Sequence, residues 1–129
     1  MDRITRIRSE AVDLAHFLNV PFYLECNCNY IIVYNFKLPE GFQLKQTDVL
    51  LKLIDYPNIP PGLGRNKVYL AYNLRVHGRQ LKFFHFDSDL SYKGWHHRCF
   101  TRIDWDSNID TLVTFFDCLL FALQEDSLE

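Results

Sequence analysis

The run Gly94-Trp95-His96-His97-Arg98-Cys99-Phe100 sets a thiol directly behind two imidazoles and a guanidinium. A thiolate is a strong nucleophile, and cationic neighbours favour it over the thiol. Cys99 is therefore the candidate nucleophile, suited to accepting an acyl group and holding it as a reactive thioester. Successive residues of an extended segment point opposite ways, so one of His96 and His97 at most is expected to face the sulfur, and His97 is favoured. Such a histidine would act as general base or would hydrogen-bond a tetrahedral intermediate. Asp104 and Asp106 flank Trp105 and are candidates for orienting a histidine or an attacking amine, a role that competes with that of ordinary turn residues. Of the remaining cysteines, Cys118 lies in an apolar run and reads as packing, and Cys26 and Cys28 read as strand residues. One residue between Cys26 and Cys28 is tighter than the usual spacing of structural zinc ligands. A zinc site joining them to His96 and His97 is the lesser reading, and no metal or other cofactor is expected.

Several elements must position these groups. In residues 3–18, Ile4, Ile7, Ala11, Leu14, Ala15 and Leu18 recur at intervals of three and four, which predicts an amphipathic helix closed by Pro21. Residues 22–26 and 30–36 predict two strands joined through Asn27 and Asn29, residues 48–54 a central apolar strand, and residues 67–74 a fourth. Between the last two, Pro57, Pro60, Pro61, Gly62 and Gly64 stiffen an irregular surface loop. His77-Gly78-Arg79 is a turn, followed by a short apolar run over 81–86. Residues 87–106 show no sustained period and are expected to cross the domain as a long irregular segment, unusual unless functional. A helix is expected from Ile109 to about Gln124, with Ser107 as cap and Asp110 as its box partner, and a frayed tail after it. The sum is one α+β domain over residues 1–129: an N-terminal helix, a four-stranded antiparallel meander, an irregular crossing and a C-terminal helix.

Composition excludes several function classes. Hydrophobic content of 48% with 16% aromatic residues requires a packed core, and a net charge of -2 draws the surface as a whole toward neither nucleic acid nor anionic lipid. No apolar run is long enough to span a bilayer, and no secretory start is visible. A cytoplasmic protein with four free thiols is expected, working on protein or small-molecule partners.

The order of these pieces resembles the ubiquitin-conjugating (UBC) superfamily. Its Tyr-Pro followed by Pro-Pro after the third strand corresponds to Tyr56-Pro57 and Pro60-Pro61, and its Gly, Cys and Trp ahead of the next helix correspond to Gly94, Cys99 and Trp105. More closely, the chain is similar to bacterial family E of that superfamily, whose Leu-Pro-x-Gly-Phe turn leading to Thr-Asp corresponds to Leu38 to Phe42 and Thr47-Asp48. The resemblance spans about residues 20–124. Two features depart from the pattern. No His-Pro-Asn precedes Cys99, the nearest stretch being Phe84-His85-Phe86-Asp87, and Cys99 sits unusually close to Trp105.

The resemblance implies that Cys99 receives a ubiquitin-like modifier from a ThiF-type adenylating enzyme and transfers it to an amine or hydroxyl. It implies a JAB-type protease in the same pathway, and gene sets of this kind include some associated with antiphage defence. It places Arg3, Arg6 and Arg8 on the surface met by the adenylating enzyme, and makes Tyr56, Pro57, Pro60 and Pro61 a wall of the site near partner-contacting loops. The alternative is a catalytically inactive UBC-like adaptor that scaffolds the adenylating enzyme or the modifier.

Overall fold

The structure is a computed structural model and describes residues 1–128. Helix α1 (Arg3–Leu18) starts at Asp2, whose carboxylate accepts the Thr5 amide at 2.8 Å, and ends at Asn19 in the left-handed conformation. Strands β1 (Phe22–Leu24), β2 (Tyr30–Lys37), β3 (Gln46–Lys52) and β4 (Lys67–Ala71) then form an antiparallel meander. A small hairpin follows, β5 (Arg75–Val76) and β6 (Arg79–Gln80), turning through His77 and Gly78, both at positive φ. Strands β7 (Phe84–His85) and β8 (Trp95–Arg98) and helix α2 (Leu112–Ser127) complete the chain.

The expected four-stranded meander is the larger part of a six-stranded sheet. Its order is β1-β2-β3-β4-β8-β7, with every pairing antiparallel. Residues 87–106 are therefore not irregular throughout. The histidine-flanked stretch forms β8 and pairs with β4 and β7. Helix α2 begins three residues later than the spacing suggested. Its capping box is Thr111 with Thr114, while Asp110 turns back to accept the Asp106 amide at 2.7 Å in a separate turn. Residues 125–127, expected to fray, are helical.

Alternation along the strands sorts the sheet into two faces. Ile31, Val33, Val49, Leu51, Val68 and Leu70 lie against Ile7, Ala11 and Leu14 of α1 and against Leu112, Phe115, Phe116, Leu119 and Leu123 of α2, all buried in one contiguous core. Both helices thus cover the same face. The other parity aligns Ile32, Leu50, Tyr69, His97 and His85 across the strands. No helix among the described residues is long and apolar enough to cross a membrane.

Candidate functional site

Strand β8 splits the candidates between the two faces. Arg98 points to the helices: its guanidinium lies between the rings of Phe83 and Phe100, 5.5 and 5.0 Å from their centroids, and reaches Asp126 of α2 at 3.4 Å. Phe100, of the same parity, packs on Phe115. His96 shares that parity and is absorbed at the sheet end, its Nδ1 2.8 Å from Ser91 Oγ and its ring against Phe84, Tyr72 and Phe86. His97 and Cys99 face the opposite way. Cys99 Sγ lies 3.5 Å from His97 Nδ1, and its amide donates to the Phe83 carbonyl at 2.8 Å, carrying the β7–β8 pairing one step beyond Arg98.

Around this pair the helix-free face is polar. Asp87 Oδ2 accepts from Lys67 Nζ and from the Tyr69 hydroxyl, each at 3.2 Å, while its Oδ1 accepts the amides of Asp89 and Leu90. The Tyr69 ring packs on His97 with centroids 5.8 Å apart. Burial alone would raise the Asp87 carboxyl, but the Asp89 amide, the Lys67 ammonium and the Leu90 amide together hold it below the ordinary value. For His97, burial and then the nearby Lys67 charge act in the same direction and push the imidazole down to about 4. It is neutral at pH 7. Desolvation, followed by Asp87, raises the Tyr69 phenol, which remains a hydrogen-bond donor.

Asp104 does not join this cluster. It is exposed, pairs with Arg102 at 3.6 Å, and lines a cavity of about 480 Å³ with Thr114, Asp117, Cys118 and Phe121, on the α2 side of the sheet. Of Cys99, His97, His96 and Asp104, the fold brings only Cys99 and His97 together.

The residues assigned to partner surfaces divide in the same way. Tyr56 is 1% exposed, and Pro60 and Pro61 are buried, so these three pack inward, while Pro57 is half-buried beside the exposed Asn58 and Ile59. The Tyr56 hydroxyl donates to Glu10 Oε1, which also accepts the Leu112 amide at 2.9 Å, while Arg6 Nε donates to Glu10 Oε2 at 2.6 Å. A carboxylate from α1 thereby meets the N-terminus of α2, where the helix dipole favours negative charge. Desolvation, then this carboxylate, raises the Tyr56 phenol. Trp105 Nε1 donates to the Pro57 carbonyl at 2.8 Å, and its ring lies against Tyr56. Gly62, at φ +95°, leaves so little room that an added Cβ would sit 2.6 Å from the Phe100 ring, so the proline segment does abut the residue after Cys99.

Arg3 is likewise engaged inward, donating to the carbonyls of Tyr56, Leu53, Cys28 and Asn27. Arg6 adds the Asp110 carbonyl to Glu10. Arg8 is exposed.

Sequence reasoning did not single out Lys67, Tyr69 or Asp87. The signal was present in Lys67-Val68-Tyr69-Leu70, whose alternation sets a lysine and a tyrosine on the face away from Val68 and Leu70. Among the described residues no group of three or more His, Cys, Asp or Glu is placed to hold a metal ion. Compared with protein-family models, curated proteins and solved structures, the chain matches none.

Proposed function

We propose that this protein is a thiol acyl carrier of the ubiquitin-conjugating type. Cys99 receives the C-terminal acyl group of a ubiquitin-like modifier from a ThiF-type adenylating enzyme and passes it to an amine or hydroxyl of a target. The observation that carries the reading is the Cys99–His97 contact of 3.5 Å on the sheet face that neither helix covers. It is further supported by a meander set between terminal helices and by the proline segment packed under Phe100. A JAB-type protease would reverse the modification.

In the loading step the Cys99 sulfur attacks the carbonyl carbon of the partner's thioester. The new carbon–sulfur bond forms, the old one breaks, and the departing partner thiolate takes up the proton that Cys99 releases. In discharge a target amine or hydroxyl attacks the Cys99 thioester, loses a proton to solvent, and Cys99 leaves as thiolate. A histidine held near 4 is a poor store for a proton at neutral pH. His97 therefore accepts the thiol's hydrogen bond and fixes its orientation.

The test is incubation with ATP, the adenylating enzyme and processed modifier, read on nonreducing gels. A reductant-sensitive adduct on the wild type, absent from Cys99→Ala and reductant-resistant or absent in Cys99→Ser, is expected. An adduct persisting on Cys99→Ala moves the carrier elsewhere. The weak basicity of His97 favours one second reading, an inactive adaptor that binds the adenylating enzyme or the modifier. Binding without an adduct under any condition would select it.

A further inference from the structure

Strand pairing ends one residue short of the nucleophile. The last paired residue of β8 is Arg98, opposite Phe84, and beyond it the Cys99 amide still follows the ladder, donating to the Phe83 carbonyl at 2.8 Å. The Cys99 carbonyl takes its direction from a side chain instead, because Arg98 Nη1 donates to it. With the backbone groups on both sides of Cys99 held, the direction of its Cβ is set, and Sγ rests 3.5 Å from His97 Nδ1 on the helix-free face.

Stability alone does not explain this arginine. It is 5% exposed, yet the Asp126 oxygens stand 3.4 and 3.5 Å from its Nη2, against about 2.7–2.9 Å for a close charge-assisted bond. Among the described residues, its Nε is the one buried side-chain nitrogen or oxygen with no partner. Burial is the larger influence on the Asp126 carboxyl and raises it in spite of the guanidinium. A buried ion pair made this loosely stabilises no more than apolar side chains of like volume would, and an orphaned donor costs free energy. What the guanidinium does supply is a donor to Cys99, held in place by the Phe83 and Phe100 rings and by Asp126 of α2.

We propose that Arg98 is a positioning residue for Cys99: through the carbonyl it aims the sulfur at the open face beside His97, and Asp126 ties that aim to the last turn of α2. The placement half stands on its own, and its consequence for acyl loading rests on the carrier reading above. Misplacing a reacting atom by about 1 Å can slow a reaction by roughly 100-fold.

The test separates position from stability. In the full chain, Arg98→Met combined with Asp126→Leu replaces the ion pair with apolar groups, and the urea midpoint should match or exceed that of the wild type. The NMR cross-relaxation between the Cys99 β-protons and the His97 ring, expected in the wild type, should be lost. Single-turnover loading with ATP, the adenylating enzyme and processed modifier should slow about 10- to 100-fold, with the half-saturating concentration of adenylating enzyme unchanged. Asp126→Asn, which keeps an acceptor for the guanidinium, should retain the wild-type cross-relaxation and rate. Should the double variant fold poorly, Arg98→Lys keeps the charge without the fork that spans carboxylate and carbonyl, and should show the same losses. Wild-type cross-relaxation or wild-type loading, in the folded double variant or in Arg98→Lys, would overturn the proposal. Lost cross-relaxation, in a chain whose wild type forms no thioester, would uphold the placement and remove the loading half together with the carrier reading.

Discussion

Two carboxylates in this molecule are built alike and placed differently. Glu10 accepts from a buried tyrosine hydroxyl, a cation and a backbone amide, and so does Asp87, with Tyr56, Arg6 and Leu112 around the first and Tyr69, Lys67, Asp89 and Leu90 around the second. The partners of Glu10 come from α1, the proline segment and the N-terminus of α2, with Tyr56 and Leu112 buried and Arg6 half-buried, so its hydrogen bonds join elements remote in sequence. Those of Asp87 sit on the helix-free face beside His97, with its lysine partly in solvent. The same local chemistry thus joins core elements in one place and sets a charge beside an imidazole in the other. Location in the fold, and not the identity of the groups, separates the two.

That comparison can be broken by substitution. Glu10→Ala leaves Arg6 and the Tyr56 hydroxyl without their acceptor, and should cost about 3–5 kcal/mol as the loss of one member of a buried ion pair does. Urea denaturation measures it. Asp87→Ala should cost only about 1–2 kcal/mol, because Lys67 can turn to water and the Tyr69 hydroxyl alone loses a buried partner. Equal stability losses for the two variants would erase the distinction drawn here. Trp105→Phe, which removes the bond to the Pro57 carbonyl and part of the ring packed on Tyr56, should cost about 1–2 kcal/mol and leave Cys99 reactivity unchanged.

A separate effect falls on pH dependence. His97 sits near 4 when folded against 6.5 when unfolded, so the unfolded chain binds the extra proton more readily between those values. Its contribution to stability is fully present above about pH 6.5 and is lost as pH falls toward 4. Denaturation midpoints compared between wild type and His97→Asn across that window should show the wild type declining more steeply, and an NMR titration of the His97 ring should give a midpoint near 4. A midpoint near 6.5 would place the imidazole in solvent and undo the account of the Cys99 contact.

Much of the scaffold was legible along the chain. The period of Ile7, Ala11 and Leu14 marks α1, the apolar alternation of Val49 and Leu51 marks β3, and Pro57, Pro60 and Pro61 mark the stiff crossing. Strand β8 was not, because Trp95-His96-His97-Arg98 carries no run of β-branched residues and earns its place only by pairing with β4 and β7. Nor could the role of Arg3 be read from its position on a polar helix turn. A guanidinium has five donors, and the carbonyls that take them lie in loops far along the chain.

What the sequence alone determined is therefore the set of local elements and the nomination of Cys99 with His97, since helical and strand periodicities and adjacent residue types are properties of short windows. The tertiary structure decided which face of the sheet the sulfur occupies, that His96 and Asp104 belong elsewhere, and that Lys67, Tyr69 and Asp87 gather beside His97. Those outcomes follow from strand register and helix packing between distant segments, and a shift of register by one residue would send Cys99 to the other face.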